Sequence, residues 1–430
     1  MKKITSPILL LLLIFLYSCA GQTKVDLVVF NAKIYTVDSS FSVAEAMAVK
    51  DGKIVQTGST KSITEKYESE NKVDAQGKFI YPGFIDAHAH FYRYGLGLQS
   101  ADLVGTTSWE DILSRLQAFA KENPNGWLIG RGWDQNDWPV KEFPTKDRLD
   151  ELFPDRPVYL VRIDGHASIA NQKALDIAGV KAGQTLVGGN VETKNGKLTG
   201  VLIDNAEGLV ASKIPDATSE QIKESLMDGQ AKCFEVGLTT VDDCGIYYTE
   251  ALLMDSLHKS GLLKMRIYAM LSDAKSNYEF LFKNGKIKTD RLNVRSFKVY
   301  ADGALGSRGA CLLEPYADRK DWSGFLLSSQ QHFDSVASII HKNGFQMCTH
   351  AIGDSGNRTI LNIYGKYLQG KNDLRWRIEH AQVVNQNDFK QFGQFSVVPS
   401  VQPTHATSDM YWAEERLGAQ RVKGAYAFKQ

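Results

Sequence analysis

Two histidines separated by one residue are the first candidates for chemistry in this sequence. His88 and His90 end an apolar segment, residues 79–91, that passes through a Pro-Gly turn into a short strand. Side chains of a strand alternate between its faces, so both imidazoles project to one side, roughly 6.5 Å apart along the backbone. Two neutral imidazoles at that spacing can bind one divalent cation. Ordinary hydrogen-bonded histidines are the alternative for this pair taken alone.

Later strands also end in polar residues. Residues 296–302 form one such strand, on which Lys298 and Asp302 share a face. His350 and His380 end the two strands that follow. In a parallel (β/α) barrel the carboxyl ends of the strands gather on one rim, where catalytic residues lie. A lysine facing that interior is costly as an ammonium unless it is paired or chemically changed, and a buried ion pair with Asp302 is one solution.

The sequence contains three segments with different predicted secondary structure, and the last of them supplies most of this rim. Residues 25–80 predict short strands, including a hairpin around Asp51-Gly52. Residues from about 100 to 215 predict an insertion after the first barrel strand, where specificity is usually encoded. The remainder alternates helices and strands, as in a parallel α/β structure. Besides the His-x-His strand, the predicted barrel strands are residues 238–242, 265–270, 296–302, 345–350, 375–380 and 395–399, and the predicted helices include 218–235, 333–342 and 412–429.

The N-terminus predicts export. Lys2 and Lys3 precede an apolar run, residues 8–16, that is too short to span a bilayer and ends near Cys19. The ending resembles a bacterial lipobox, which implies cleavage after residue 18, lipidation of Cys19, and a lipid anchor in the periplasm or at the cell surface. A plain cleaved signal is the alternative. The net charge is +1, and no block of Lys or Arg residues stands out in the sequence. Nucleic acid is therefore not an expected partner. Oligomeric state is left open.

Several motifs in a fixed order resemble the amidohydrolase superfamily, and within it amidohydrolase family 3, the subgroup that includes N-substituted formamide deformylases. The resemblance runs from about residue 25 to the last residue. Its motifs are Pro82-Gly83-Phe84-Ile85-Asp86-Ala87-His88-Ala89-His90, Asp164-Gly165-His166, Lys298-Val299-Tyr300-Ala301-Asp302-Gly303-Ala304-Leu305-Gly306-Ser307-Arg308, His350-Ala351-Ile352-Gly353-Asp354 and Glu379-His380-Ala381-Gln382.

The resemblance implies a metal-dependent hydrolase on a (β/α)₈ barrel with a flanking β-sandwich. By that resemblance His88 and His90 bind one divalent ion, and His350 and His380 bind a second. Lys298 bridges them as a carbamate, and zinc is the expected metal. The metals would acidify a water to hydroxide and polarise the scissile carbonyl of a small-molecule amide, cleaving an N-acyl or N-formyl C–N bond.

Two further residues are candidates for binding substrate. His166 is expected to steady a substrate oxygen, with a structural hydrogen bond as the alternative. Arg308 is expected to hold a substrate carboxylate, with a loop-stabilising role as the alternative. His258, His332, His341 and His405 receive no role.

The family's proton-shuttling aspartate follows an eighth barrel strand, and the sequence up to Gln430 contains no match for either. The expectation is therefore a fragment: residues 1–18 a lipoprotein signal, 19–78 part of the sandwich, and 79–430 a barrel lacking its eighth strand. Loss of the general acid/base is expected to cost roughly 10²- to 10⁴-fold in rate. A non-catalytic product that keeps part of the fold, or an ester or lactone hydrolase on the same metal site, are the alternatives.

Overall fold

A computed structural model describes residues 21–430. The predicted signal and Cys19 lie outside the described residues. The chain divides into two compact units between Phe84 and Ile85. Within residues 21–430 no helix is both long and apolar enough to cross a bilayer.

Within residues 21–84, the first unit is a small β layer with one helix. Four strands pair in the order β6-β5-β2-β8 around a core that includes Val28 and Ala48. The helix Thr60–Lys66 begins where the hydroxyl of Ser59 accepts a backbone N–H, and it buries Ile63. The hairpin predicted at Asp51-Gly52 is confirmed, since β5 and β6 are antiparallel and both turn residues have positive φ. The strands are β1 Thr23–Lys24, β2 Leu27–Phe30, β3 Lys33–Tyr35, β4 Val43–Ala44, β5 Ala46–Lys50, β6 Lys53–Gly58, β7 Tyr67–Glu68, β8 Lys72–Asp74 and β9 Phe79–Ile80.

The His-x-His strand is β10, Phe84–Ala89, whose residues from Ile85 onward belong to the second unit. A separate seven-stranded sheet follows it, in the order β11-β12-β13-β14-β17-β16-β15, where the sequence predicts an insertion. This sheet has its own apolar core, which includes Leu103, Leu128 and Leu160. Its strands are β11 Ala101–Asp102, β12 Leu128–Trp133, β13 Val158–Arg162, β14 Ala167–Ala170, β15 Thr185–Leu186, β16 Gly189–Lys194 and β17 Lys197–Asp204.

The barrel wall consists of β10, next to β18, and then β19, β21, β22, β23 and β24 in order, while the short strand β20 pairs antiparallel with β21 outside this order. Neighbours from β18 to β24 are parallel. Every residue of β22 is buried, as expected for a parallel strand covered on both faces. The strands are β18 Leu238–Ile246, β19 Arg266–Ser272, β20 Ile287–Lys288, β21 Leu292–Tyr300, β22 Gln346–Ala351, β23 Arg377–His380 and β24 Val398–Ser400. The predicted α/β fold is confirmed. Within residues 21–430, no eighth parallel strand joins β24 to β10.

Helices lie between most of these strands. The helix predicted at 218–235 is Ser219–Glu235, begun by a capping box between Thr218 and Gln221. The single helix predicted over 412–429 is wrong: Ala413–Arg421 contains a non-helical Gly418 at φ 76° and gives way to a 3₁₀ turn at Val422–Gly424. The other α-helices of this unit are Phe91–Gly97, Trp109–Glu122, Asp147–Leu152, Gln172–Ala178, Glu207–Ala211, Tyr248–Lys259, Lys275–Asn284, Gln330–Lys342, Asp354–Leu368, Phe389–Phe395 and Thr404–Asp409, and the other 3₁₀ turns are Gln135–Asp137 and Gln386–Asp388.

Candidate active site

The carboxyl ends of four strands bring the predicted metal ligands to one place. The ring of His88, on β10, lies 5.6 Å from that of His90 and 4.4 Å from that of His380, measured between centroids. The ring of His350 lies 4.6 Å from that of His380. Lys298 is on β21, which pairs directly with the strand of His350. Residues that span 292 positions of sequence therefore share one cluster because parallel strands end on one rim.

Glu379 fixes the protonation of His88. The Nδ1 of His88 donates to Oε2 of Glu379 at 2.7 Å, and Arg377 forms an ion pair with the other carboxylate oxygen, also at 2.7 Å. Burial raises the pKa of Glu379, but His88 and Arg377 outweigh burial and lower it to about 2. Burial, followed by the charge of Lys298, lowers the pKa of His88 itself. The imidazole is neutral, so its buried Nε2, which has no protein partner, presents a lone pair to the cluster.

The other three histidines are also held as neutral rings. Burial lowers the pKa of His90, His350 and His380 well below the usual value. Nδ1 of His380 donates to Oε1 of Gln402 at 2.5 Å, and Nε2 of His350 donates to the carbonyl of Gly303 at 3.3 Å. In each of these two rings one nitrogen is occupied and the other is available as a ligand. Nδ1 of His90 is buried without a protein partner.

Lys298 is fully buried, and its Nζ has no hydrogen-bond partner in the described chain. The ion pair with Asp302 considered from the sequence is absent from the described residues. Asp302 instead accepts the backbone N–H groups of Cys311, Ile352 and Gly353 at 2.8 to 2.9 Å. The ammonium lies 4.4 Å from the ring centre of Tyr300, a contact that compensates burial of a charge only in part.

His166 lies beside the cluster, with its ring 4.9 Å from that of His350. Its Nδ1 donates to Asp204 Oδ1 at 2.6 Å, and Asp204 is buried at the end of β17. Burial lowers the pKa of His166, but the hydrogen bond and charge of Asp204 outweigh burial, and the pKa rises above its usual value. Of these five histidines only His166 has a raised pKa, which favours a second proton on its ring.

Arg308 does not reach the cluster. Its guanidinium forms an ion pair with Asp318 at 2.8 Å, and Arg308 is not among the residues that line the cavity. This geometry matches the loop-stabilising alternative, because Asp318 also pairs with the buried Arg416.

A cavity of about 620 Å³ opens over the cluster. The rim of the barrel and the inserted sheet both contribute to its wall, within the second unit. The lining combines the clustered histidines with acidic, basic and apolar groups from the insertion and from the segment after β24. Besides His88, His90, His166, His350 and His380, it includes Arg131, Asp134, Asp137, Arg162, Asp164, Tyr300, Gln402, His405, Asp409 and Tyr411.

Comparison with known proteins agrees with this geometry. Residues 72–430 match the amidohydrolase family. The chain belongs to that family. YtcJ of Bacillus subtilis, named as an amidohydrolase, is 32% identical to this amidohydrolase over 92% of the chain and 76% of its own length. The N-substituted formamide deformylase of Arthrobacter pascens is 27% identical over 83% of the chain and 69% of its own length. A crystal structure of a metal-dependent hydrolase from Pyrococcus horikoshii superposes with a TM-score of 0.72 at 25% identity, covering 94% of this chain and 80% of that one.

The unpartnered atoms of this amidohydrolase fit a metal. Nε2 of His88, Nδ1 of His90 and Nζ of Lys298 are buried polar atoms without protein partners, next to neutral imidazoles. His88, Cys244 and Glu379 form a second group of possible metal ligands, since one ligand atom of each lies within 4.8 Å of the others. This group fits a metal ion less well. Glu379 already pairs with Arg377, and burial raises the pKa of the Cys244 thiol well above its usual value.

Sequence reasoning missed several residues of the site. His405, which received no role, lines the cavity, and its ring lies 5.5 Å from that of His380. Glu379 and Gln402 hold ligand candidates in orientation, and Asp204 holds His166. Glu379 stands directly before His380 within a quoted motif, a signal that could have revealed it. Asp204 and Gln402 have no local signal, because their partners are distant in sequence.

Proposed function

We propose that this amidohydrolase uses bound divalent metal to hydrolyse non-peptide C–N bonds of N-acyl or N-formyl amines. The observation that carries the proposal is the cluster of neutral imidazoles beside a buried, unpartnered Lys298. The relative named as a formamide deformylase supports the N-formyl class in particular.

The clustered histidines and Lys298 are suited to binding one or two divalent metal ions. His88 and His90 would hold one ion, His350 and His380 a second, and Lys298 would join them. A carbamate on Lys298 would replace a buried cation by an anionic oxygen ligand, and its burial without a partner favours that change. Bound metal would acidify a water and polarise the substrate carbonyl.

The chain's own groups would orient the substrate. His166, protonated against Asp204, would donate a hydrogen bond to the carbonyl oxygen, where negative charge grows as the carbon is attacked. Glu379 and Gln402 would keep the rings of His88 and His380 in one tautomer and orientation. The cavity wall would limit access of bulk water.

Metal-loaded protein should hydrolyse N-formyl or N-acetyl amines, measured by release of the free amine. The substitution His88→Ala should lower kcat/KM roughly a thousandfold or more and reduce bound metal, because a ligand is lost. His332→Ala is the matched control: this histidine pairs with Asp273 and does not line the cavity, so rate and metal content should persist. Full activity after the metal has been removed would refute the proposal. Cleavage of esters but not amides would refute the substrate class.

A further inference from the structure

Two arginines line the cavity, and they differ in how they are paired. Arg162 is almost fully buried and forms ion pairs with Asp134 and with Asp164, the latter at 2.5 Å. The guanidinium of Arg131 has no hydrogen bond or ion pair in the part of the chain that the structure describes. Arg131 is therefore a cationic, fork-shaped donor in the cavity wall without a protein acceptor.

The backbone around Arg131 leaves room for its side chain. Its guanidinium lies against Gly165, where an added Cβ would be 3.2 Å from Nη2, and its Cδ lies 3.8 Å from the position of a Cβ on Gly97. Gly165 has φ +71°, a conformation that favours glycine. Glycine at both positions therefore leaves open the space that the Arg131 side chain occupies in the cavity wall.

The acidic residues nearby do not neutralise it. Asp164 is engaged by Arg162. Burial, together with the charges of Asp204 and Asp164, raises the pKa of Glu207 well above its usual value, and within the described residues Glu207 forms no ion pair with Arg131. A guanidinium that faces a cavity without a counter-ion is suited to an anionic group supplied by a ligand.

We propose that Arg131 binds a carboxylate of the substrate, so that the preferred substrates are N-acyl or N-formyl amino acids and related acids. A planar carboxylate matches the guanidinium fork, which can donate two parallel N–H bonds to it. Val104, Ile163 and Tyr411 also line the cavity and are 54%, 43% and 72% exposed, which favours an apolar substituent on the substrate. The inference rests on the proposed function. It gives Arg131 the carboxylate-binding role that the sequence predicts for Arg308.

The kinetic test compares N-acetylphenylalanine with N-acetylphenethylamine, its analogue without the carboxylate. Wild-type protein should prefer the acid, and Arg131→Gln should lower kcat/KM for the acid roughly 10- to 100-fold while changing the neutral substrate little. Arg131→Lys should recover part of the loss, because charge returns without the fork. Arg308→Gln, the matched control outside the cavity, should keep the preference. Equal loss on both substrates in Arg131→Gln would show a structural role and overturn the inference.

A binding test separates this inference from the proposed function. Calorimetry with metal-loaded protein compares 3-phenylpropanoate with 3-phenylpropan-1-ol, neither of which contains an amide. The acid should bind roughly tenfold tighter or more, and the difference should vanish in Arg131→Gln but persist in Arg308→Gln. A difference that survives in Arg131→Gln would place the carboxylate elsewhere, on the metal for example, and overturn the inference. If the acid is favoured through Arg131 but no amide is cleaved, the proposed function alone fails.

Discussion

At the scale of single residues, protonation is set by contacts with partners. The four histidines of the proposed metal set have lowered pKa values because burial and, to a lesser extent, the charge of Lys298 disfavour a charged ring, whereas Asp204 raises the pKa of His166 by accepting its hydrogen bond. Glu379 is the most informative case, since one buried carboxylate serves both His88 and Arg377. It acts on the proposed metal only through His88 and is a positioning residue.

Glu379→Gln should reduce metal affinity roughly 10- to 100-fold, because a neutral amide no longer stabilises the proton on Nδ1 of His88. Metal content after dialysis against graded chelator concentrations would measure the change. Adding metal in excess should restore much of the activity, which a purely structural defect would not allow. Glu220→Gln, an exposed residue on the helix Ser219–Glu235, should behave as wild type. Unchanged metal affinity in Glu379→Gln would contradict the assigned role.

At the scale of elements, close helix packing supports the His-x-His strand. The helix Phe91–Gly97 begins directly after His90 and packs on the helix Ser219–Glu235. The two backbones approach so closely at Gly95 that an added Cβ would lie 2.3 Å from the carbonyl oxygen of Ser225. The position of His90 therefore depends on a glycine five residues later.

Gly95→Ala should separate the two helices and lower the free energy of unfolding by roughly 1–3 kcal/mol, as overpacking does in other cores. Urea unfolding monitored by circular dichroism would measure the loss, and bound metal should fall as His90 shifts. Gly208→Ala is the matched control, since an added Cβ there has nothing within 4 Å. Equal stability of the two variants would mean that the helices adjust without cost.

At the scale of the whole molecule, the location of the enzyme is a prediction from its N-terminal residues. We propose that the segment before Cys19 directs export and that Cys19 carries a lipid, as its charged start and short apolar run indicate. A lipid anchor would keep the enzyme at the cell envelope with its cavity available to exported or external amides.

Cys19→Ala should abolish incorporation of radiolabelled palmitate in a bacterial host and release the protein from the membrane fraction, because the thiol that carries the lipid is gone. Cys311→Ala, which alters a free cysteine of the described chain, should keep label and fractionation. Label retained by Cys19→Ala would show that the lipid lies elsewhere or that the signal is a plain cleaved one.

The sequence by itself determined the parts that depend on local pattern. His88 and His90 share a strand face because strands have a period of two, and His350, His380 and Lys298 stand on or at the ends of apolar strands that must be parallel if helices separate them. Those relations predict the fold and which ligand candidates converge.

Tertiary structure alone decided the pairing of charges. Glu379 and His88 are 291 positions apart, and no pattern near either residue predicts their hydrogen bond. Arg308 and Arg131 both stand beside glycines, yet only folding places Asp318 against the first and leaves the second without an acceptor. The energy of a charge depends on which groups surround it in space, and distant segments supply most of those groups.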